Sequence, residues 1–376
     1  MTHRVTVGFP RMNKESAEKR VFLPAFIQYI SRYANVYLEE GYGSRSGFSF
    51  DDYRQGNAHV FRATREEAFK KDFVIVLRSP NNAEFPMLRP GACLVSMLHY
   101  PTRPNRVKIL NNLGVNAISM DSIIDDNNLR LVENMRAVSW NGLEAAFDVL
   151  EKDCPDLLRQ GRPYKVLVLG TGMVGKHAVE AATKLGNIER NERHMELNGP
   201  GAIAQFVGRN MTRYPERMES LFREADILVD ATYRRDTTVP VVPNDWLAWL
   251  PAHAVVCDLA VDPYLLTHQP PTVRGVEGIP MGNLNKHTFD PEDKEWDDTV
   301  PAEVNSRNRR RVVSCYSWPG IHPVSCMEHY ARQLEPLMEV LLTKPYRALS
   351  LEGGYFERAL VRAKLPPVDP EETGEE

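Results

Sequence analysis

KVLVLGTGMVG, residues 165–175, is the stretch that decides the fold. A run of branched apolar residues (Val166, Leu167, Val168, Leu169) breaks at Gly170-Thr171-Gly172-Met173-Val174-Gly175, and KHAVEAATKLG follows with apolar residues at helical spacing. The order is strand, tight glycine turn, helix. The three glycines serve different ends. Gly170 makes the turn, Gly172 lets the backbone approach a pyrophosphate, and Gly175 lets the helix pack closely on the strand. Unpaired amide groups and the positive end of the helix dipole then face the phosphates. A chance glycine-rich loop is the bland alternative, and the strand before and helix after it argue against that. Gly170, Thr171, Gly172, Met173, Val174 and Gly175 are therefore the expected cofactor-binding turn.

Outward from this centre the same alternation recurs. Towards the N-terminus, RVTVGFP, NVYLEEGYG, FVIVLRSP, ACLVSMLHYP and VNAISMDSI read as strands, separated by FLPAFIQYISRYA and RPNRVKILNNLG as helices. DDYRQGNAHV and ATREEAFKKD read as polar helix or loop. Strand, helix, strand implies parallel crossover units, so the first third is an α/β domain of its own, without a glycine-rich phosphate loop. The long helical stretch NMRAVSWNGLEAAFDVLEKDCPDLL holds the domain boundary. Beyond the central strand, AIAQFVGRN, EADILVDATY, HAVVCDLAVD and RRVVSCYSW supply further strands of a doubly wound sheet. Residues 187–200 read as a polar surface insertion, SCMEHYARQLEPLMEVLL as an amphipathic helix, and the acidic tail PPVDPEETGEE as disordered.

Composition narrows the function. Hydrophobic residues at 43% and charged residues at 26% describe a soluble globular chain, and 376 residues suffice for two domains. The net charge of -4, with basic residues scattered among acidic ones, gives no footprint for nucleic acid. No uncharged apolar run approaches the ~20 residues of a membrane span. The N-terminus MTHRVTVGFPRM carries no apolar secretory core, so the cytoplasm is the expected compartment. Five cysteines without CxxC pairing suit reducing conditions. Cys315, His322, Cys326 and His329 match no metal-ligand spacing, so no metal site is expected.

Candidate chemistry sits at strand ends. A dinucleotide fold normally carries an acidic residue after its second strand to bind the adenosine ribose. Here that strand reads FVGRN, with Gly208 in the acidic position and Arg209 next. Removing a carboxylate and adding a cation favours a 2′-phosphate, which points to NADP over NAD. Arg20 opens the first helix, Arg78 ends FVIVLR and His99 ends CLVSMLH. Two arginines and a histidine at the carboxyl ends of parallel strands imply a carboxylate clamp beside an acid/base group. The competing reading of His99 is a hydrogen-bonded structural histidine. Asp258 and Asp262, in VVCDLAVD, sit at and just beyond the end of a strand of the nucleotide domain; Asp258 is a candidate cofactor contact, with turn closure as the alternative, and Asp262 is the better placed to meet cofactor or substrate.

Taken together, VGFPRMNKESAEKRVFLP, LEEGYG, VLRSP, MLHY, VLVLGTGMVG, VCDLAVD and YSWPGIHP resemble the alanine dehydrogenase, NAD(P) transhydrogenase and lysine-forming saccharopine dehydrogenase group. The resemblance implies two Rossmann-like α/β domains with parallel sheets and a cleft between them. It divides the chain into a catalytic domain over 1–135 and 318–376, the C-terminal helix packing back, and a dinucleotide domain over 136–317. By resemblance Arg20 is the substrate-carboxylate arginine, His99 the acid/base histidine and Asp262 the cleft aspartate, a catalytic candidate with His99 and Arg78. One position departs. Where the group has lysine in a K-E-P-like triplet, this chain has Arg78-Ser79-Pro80, and arginine holds a carboxylate but cannot relay protons. Arg78 is thus expected to anchor substrate, leaving proton transfer to His99.

The implied activity is an NAD(P)-dependent dehydrogenase that oxidises the CH–NH bond of an amino acid to an oxo acid, as alanine dehydrogenases do. One alternative is a saccharopine dehydrogenase-like or carboxyalkyl amino acid synthase-like condensation of an oxo acid with an amino acid. Another is a nucleotide-binding regulatory protein without catalysis. The expected partner is a small amino or oxo acid, with neither nucleic acid nor membrane, and a homo-oligomer is compatible with the chain.

Overall fold

The computed structural model describes residues 4–12, 19–155 and 161–367. It divides into two compact units, Met1–Glu133 with Pro323–Glu376, and Asn134–His322.

The first unit is built on a six-stranded sheet of β1 (Thr6–Phe9), β2 (Asn35–Glu39), β3 (Val60–Ala63), β4 (Phe73–Arg78), β5 (Cys93–Met97) and β6 (Asn116–Ser119). Their order is β3-β2-β1-β4-β5-β6, and every pairing is parallel. The chain thus reverses its direction of travel between β1 and β4, where a doubly wound sheet opens a crevice at its carboxyl edge. β4 is apolar along nearly its whole length because a central parallel strand is covered on both faces. Its Val74 to Leu77 are all buried. β3 falls across the junction of the two segments read as polar helix or loop: it is four residues long at the sheet edge, with Phe61 and Arg62 exposed, so no apolar run marks it.

Helix Pro24–Ile30 starts on its proline, four residues after Arg20, so Arg20 belongs to the buried segment leading into the helix. That corrects its expected place at the helix start. Helix Pro323–Thr343 packs on it and buries Leu334, Leu337, Met338 and Leu341 in the same core. A short helix, Tyr355–Arg362, follows and is tied to Asp126 through Arg358 and Arg362. Residues 363–365 then run beside β6, with Ser119 donating to Ala363 and Leu365 to Ala117, both at 2.9 Å. Most of the tail read as disordered, 368–376, lies outside the described residues.

The second unit carries β7 (Tyr164–Leu169), β8 (Ala202–Val207), β9 (Ile227–Asp230), β10 (Val255–Asp258), β11 (Thr288–Phe289) and β12 (Arg311–Ser314) in the order β11-β12-β10-β9-β7-β8. All pair in parallel except β11, a two-residue strand antiparallel to β12. Helices Met135–Asp153 and Met173–Thr183 pack together and on one face of the sheet; Pro215–Glu224 covers the other. β8 and β9 flank β7, which makes the carboxyl end of β7 the switch point.

The stretch read as a polar insertion is largely a helix, Ile188–Glu196, capped by Asn187. Its buried residues are Arg190 and His194. Arg190 donates to Glu151 at 3.1 Å and to the Leu185 carbonyl at 2.7 Å, and His194 Nε2 accepts the Gly201 N–H at 2.8 Å. The helix docks through polar groups, so apolar periodicity could not reveal it.

Candidate active site

The switch point of the second unit opens on a cavity of about 660 Å³ lined by Gly170, Thr171, Gly172, Gly208, Arg209 and Thr232 among others. The three glycines of this turn differ in what their surroundings demand. Gly170 has φ +109°, where a side chain is strained, and its Cβ would lie 2.3 Å from the Ala231 carbonyl oxygen. At Gly175 a Cβ would lie 2.1 Å from the Gly170 carbonyl oxygen, so helix and turn touch through backbone. A Cβ on Gly172 would meet nothing within 4 Å. Gly172 is therefore free of packing demands, and its bareness leaves room for a ligand. Gly172 is also the N-cap of helix Met173–Thr183 and supplies no side-chain acceptor, so the first-turn amides are left to an anion. Met173 is half exposed, and the Val174 carbonyl accepts from Ser139 Oγ at 2.8 Å. A dinucleotide phosphate bridge fits this cradle: open space before Gly172, uncapped amides behind it and no carboxylate at the end of β8.

Arg209 is exposed on the wall of the same cavity, its Nη2 3.3 Å from the Tyr233 carbonyl. Arg235 lines the cavity too. Arg234 has a buried side chain that donates to Asp262 Oδ2 and to the Val239 carbonyl, each at 2.7 Å.

Asp262 is partly exposed and held by that arginine. Asp258, four residues earlier, is 2% exposed and does not line the cavity. Its Oδ2 pairs with Arg274 and accepts from Ser314 Oγ at 3.0 Å, while Oδ1 accepts the Val261 N–H at 2.9 Å. Burial presses the Arg274 guanidinium down to about 10, and its Nη2 is shared between Asp258 and Ser314 Oγ, 2.8 Å away. The cofactor contact expected of Asp258 is replaced by a structural one: its carboxylate fixes the turn carrying Val261, at φ 52°, into Asp262.

In the first unit, Arg78 ends β4 and His99 stands two residues past the end of β5, the neighbouring parallel strand. Both leave the same edge of the sheet. Arg78 lines a small cavity of about 10 Å³ with Arg11, Arg65 and Glu84. His99 lies beyond the strand it was expected to end, in the left-handed region at φ 52°. Its exposed ring is oriented by a residue not singled out from the sequence, Asp121, whose Oδ2 is 3.2 Å from His99 Nδ1. The His99 backbone N–H also donates to Asp121 Oδ1 at 3.2 Å, and Ser119 Oγ donates to the same oxygen at 2.8 Å. Burial alone would raise the Asp121 carboxyl, but these donors, His99 foremost, outweigh it and hold the group down at about 2. An ionised carboxylate accepts a hydrogen bond from Nδ1–H, which favours the tautomer that carries its lone pair on Nε2. Asp121 follows β6, beside β5, so the strand-end rule applied to VNAISMDSI would have found it.

Among the described residues no group of three or more His, Cys, Asp or Glu is arranged to hold a metal ion. His322 Nε2 meets Glu144 at 2.7 Å and His329 Nε2 meets the Glu133 carbonyl at 2.9 Å. No helix described is long and apolar enough to cross a membrane.

Comparison with known proteins follows this geometry. Residues 11–139 match the family described as alanine dehydrogenase/PNT, N-terminal domain, a span that includes Arg20, Arg78, His99 and Asp121. Alanine dehydrogenase of Bacillus subtilis is 25% identical over 302 residues, covering 74% of this chain and 79% of that protein. The NAD(P) transhydrogenase subunit alpha of Haemophilus influenzae is 26% identical over 196 residues, 49% of this chain and 37% of that one. Among solved structures, an L-alanine dehydrogenase superposes with a TM-score of 0.67 at 21% identity over 97% of both chains, which shows the shared fold. The resemblance to alanine dehydrogenases and transhydrogenases read from the sequence is met in the family match and in these relatives, and the expected fold in the solved structure.

Proposed function

We propose that this protein is an oxidoreductase that uses a nicotinamide dinucleotide to oxidise the CH–NH bond of an amino acid, giving an oxo acid and an amine. The carrying observation is the Gly170–Gly175 turn, with Gly172 bare before a cavity of about 660 Å³, in a chain whose residues 11–139 match the alanine dehydrogenase/PNT N-terminal domain. The Bacillus subtilis relative, an alanine dehydrogenase, supports the amino-acid substrate class.

The cradle of Gly170, Thr171, Gly172, Met173, Val174 and Gly175 would hold the pyrophosphate. When bound, the nicotinamide supplies the acceptor for a hydride leaving the substrate α-carbon. His99 Nε2 would take the proton released from the substrate nitrogen, its ring held in the reacting tautomer by Asp121. Water adding to the imine and the departing amine exchange protons through the same nitrogen. Arg20 and Arg78 would anchor carboxylates, and Arg78 would do so without joining the proton traffic. Asp262, steadied by Arg234, would position water or the nicotinamide ribose. Arg209 on the cavity wall, with Gly208 where an acidic residue would stand, supports NADP over NAD. Arg78 in place of lysine also favours a substrate with a second carboxylate, as in reductive condensation of an oxo acid with an amino acid.

The test is nicotinamide absorbance with NADH and NADPH across oxo acids, with ammonia or amino acids as nitrogen donors, for the wild type and Arg209→Ala. NADPH should be preferred and Arg209→Ala should erase the preference. Equal loss for both cofactors would remove the 2′-phosphate role, and no turnover with any pair would leave a nucleotide-binding protein without catalysis.

A further inference from the structure

A sheet edge is a row of unpaired amide and carbonyl groups, and folded proteins blunt it with charge, short length or cover. Among the described residues, three of the four sheet edges are managed in these ways. β3 is four residues long and carries exposed Arg62. β6 is covered by residues 363–365. β11 is two residues long.

The fourth edge, β8, has none of these protections among the described residues. It is six residues long, AIAQFV, without a charge or a proline. The outer position of a dinucleotide sheet, where a third strand would follow the second, holds no strand among the described residues. Tyr164 N–H donates to the Gly201 carbonyl and Gly170 N–H to the Val207 carbonyl. With two-residue alternation, positions 201, 203, 205 and 207 face β7, and Ala202, Ala204 and Phe206 turn their backbone groups outward. Ile203 is 57% exposed and Phe206 46%. Ile203 and Gln205 also line a groove of about 130 Å³ with Leu221.

We infer that β8 pairs antiparallel with β8 of a second copy of this chain, about a two-fold axis at Ala204. The strand is complementary to itself in that register. The three outward positions meet as Ala202 with Phe206 of the partner, Ala204 with Ala204 of the partner, and Phe206 with Ala202 of the partner, each forming a hydrogen-bonded pair. On this face each phenylalanine lies over alanines, small against large. On the other face Ile203 lies opposite Gln205 of the partner. No like charges meet anywhere in the pair, and a two-fold interface of identical strands closes on itself.

The test is mass by light scattering over a dilution series of the full chain. The wild type should give an even-numbered assembly. Ile203→Lys with Gln205→Lys should halve the mass, because each lysine then faces a lysine across the pair. Ile203→Glu with Gln205→Lys should restore it, because the same register now sets Glu against Lys. Circular dichroism checks that each variant is folded. Should the lysine pair fail to fold, amide exchange in the wild type serves instead: exchange at Ala202, Ala204 and Phe206 should slow as concentration rises. A monomeric wild type, an unchanged mass in the lysine pair, no recovery in the charge swap, or exchange independent of concentration would each overturn the inference.

Discussion

Gly172 and His99 are single residues whose roles can be separated from the packing around them. Because a Cβ at Gly172 would meet nothing within 4 Å, Gly172→Val should leave the melting curve unchanged and abolish dinucleotide binding. Cofactor affinity unchanged in a fluorescence titration would sink the cradle assignment. For His99 and Arg78 the two effects should differ in kind. His99→Ala removes the proton carrier and should lower kcat by about 10²–10⁴. Arg78→Lys keeps the charge but loses two-pronged hydrogen bonding, which should weaken a carboxylate substrate by about 1–3 kcal/mol and appear mainly in KM. If neither variant changes the kinetics, the proposed roles of both fall. These positions were legible in the sequence because strand ends and glycine turns have chemical signatures. Asp121 also follows a strand end, but its role comes from facing His99 Nδ1, a contact between segments 22 residues apart that the strand-end signature does not give.

At the scale of elements, the turn and the helix after it form one unit only because Gly175 lets backbone meet backbone. Gly175→Ala would place a methyl 2.1 Å from the Gly170 carbonyl oxygen, so the helix must retreat from the turn. Overpacking of this kind should cost on the order of 1–3 kcal/mol in urea unfolding, whereas Gly172→Ala should cost little. Equal losses in the two variants would show that the glycines are not distinguished in this way. Elements with an apolar signature, such as β4, β7 and β10, could be read from the chain because both faces of a central parallel strand are buried. Helix Ile188–Glu196 escaped notice because its buried contacts are Arg190 and His194, and β3 because it is a short edge strand.

For the whole molecule, acid should weaken the fold through carboxyls that the native state keeps ionised. Asp121 sits at about 2 when folded, below the ordinary aspartate value of 3.8. A depressed folded pKa contributes stability that is present above about pH 4 and is lost as pH falls through about 2. The contribution is on the order of 2 kcal/mol. Asp226 adds in the same direction: burial opposes its charge, but the Arg162 and His253 hydrogen bonds and the Lys165 N–H hold it ionised. Asp121→Asn cannot titrate, so its unfolding free energy should fall less between pH 5 and pH 2.5 than that of the wild type; identical pH profiles would remove Asp121 from the account. By itself the sequence determined the α/β class, the nucleotide turn and the strand ends at which chemistry gathers, because period, glycine and charge act over a few neighbouring residues. Only the tertiary structure decided that Asp258 is spent on Arg274, that Asp121 orients His99 and that, among the described residues, nothing covers β8 at its sheet edge. Each depends on which strands lie side by side, and that order is set by packing between segments far apart in the chain.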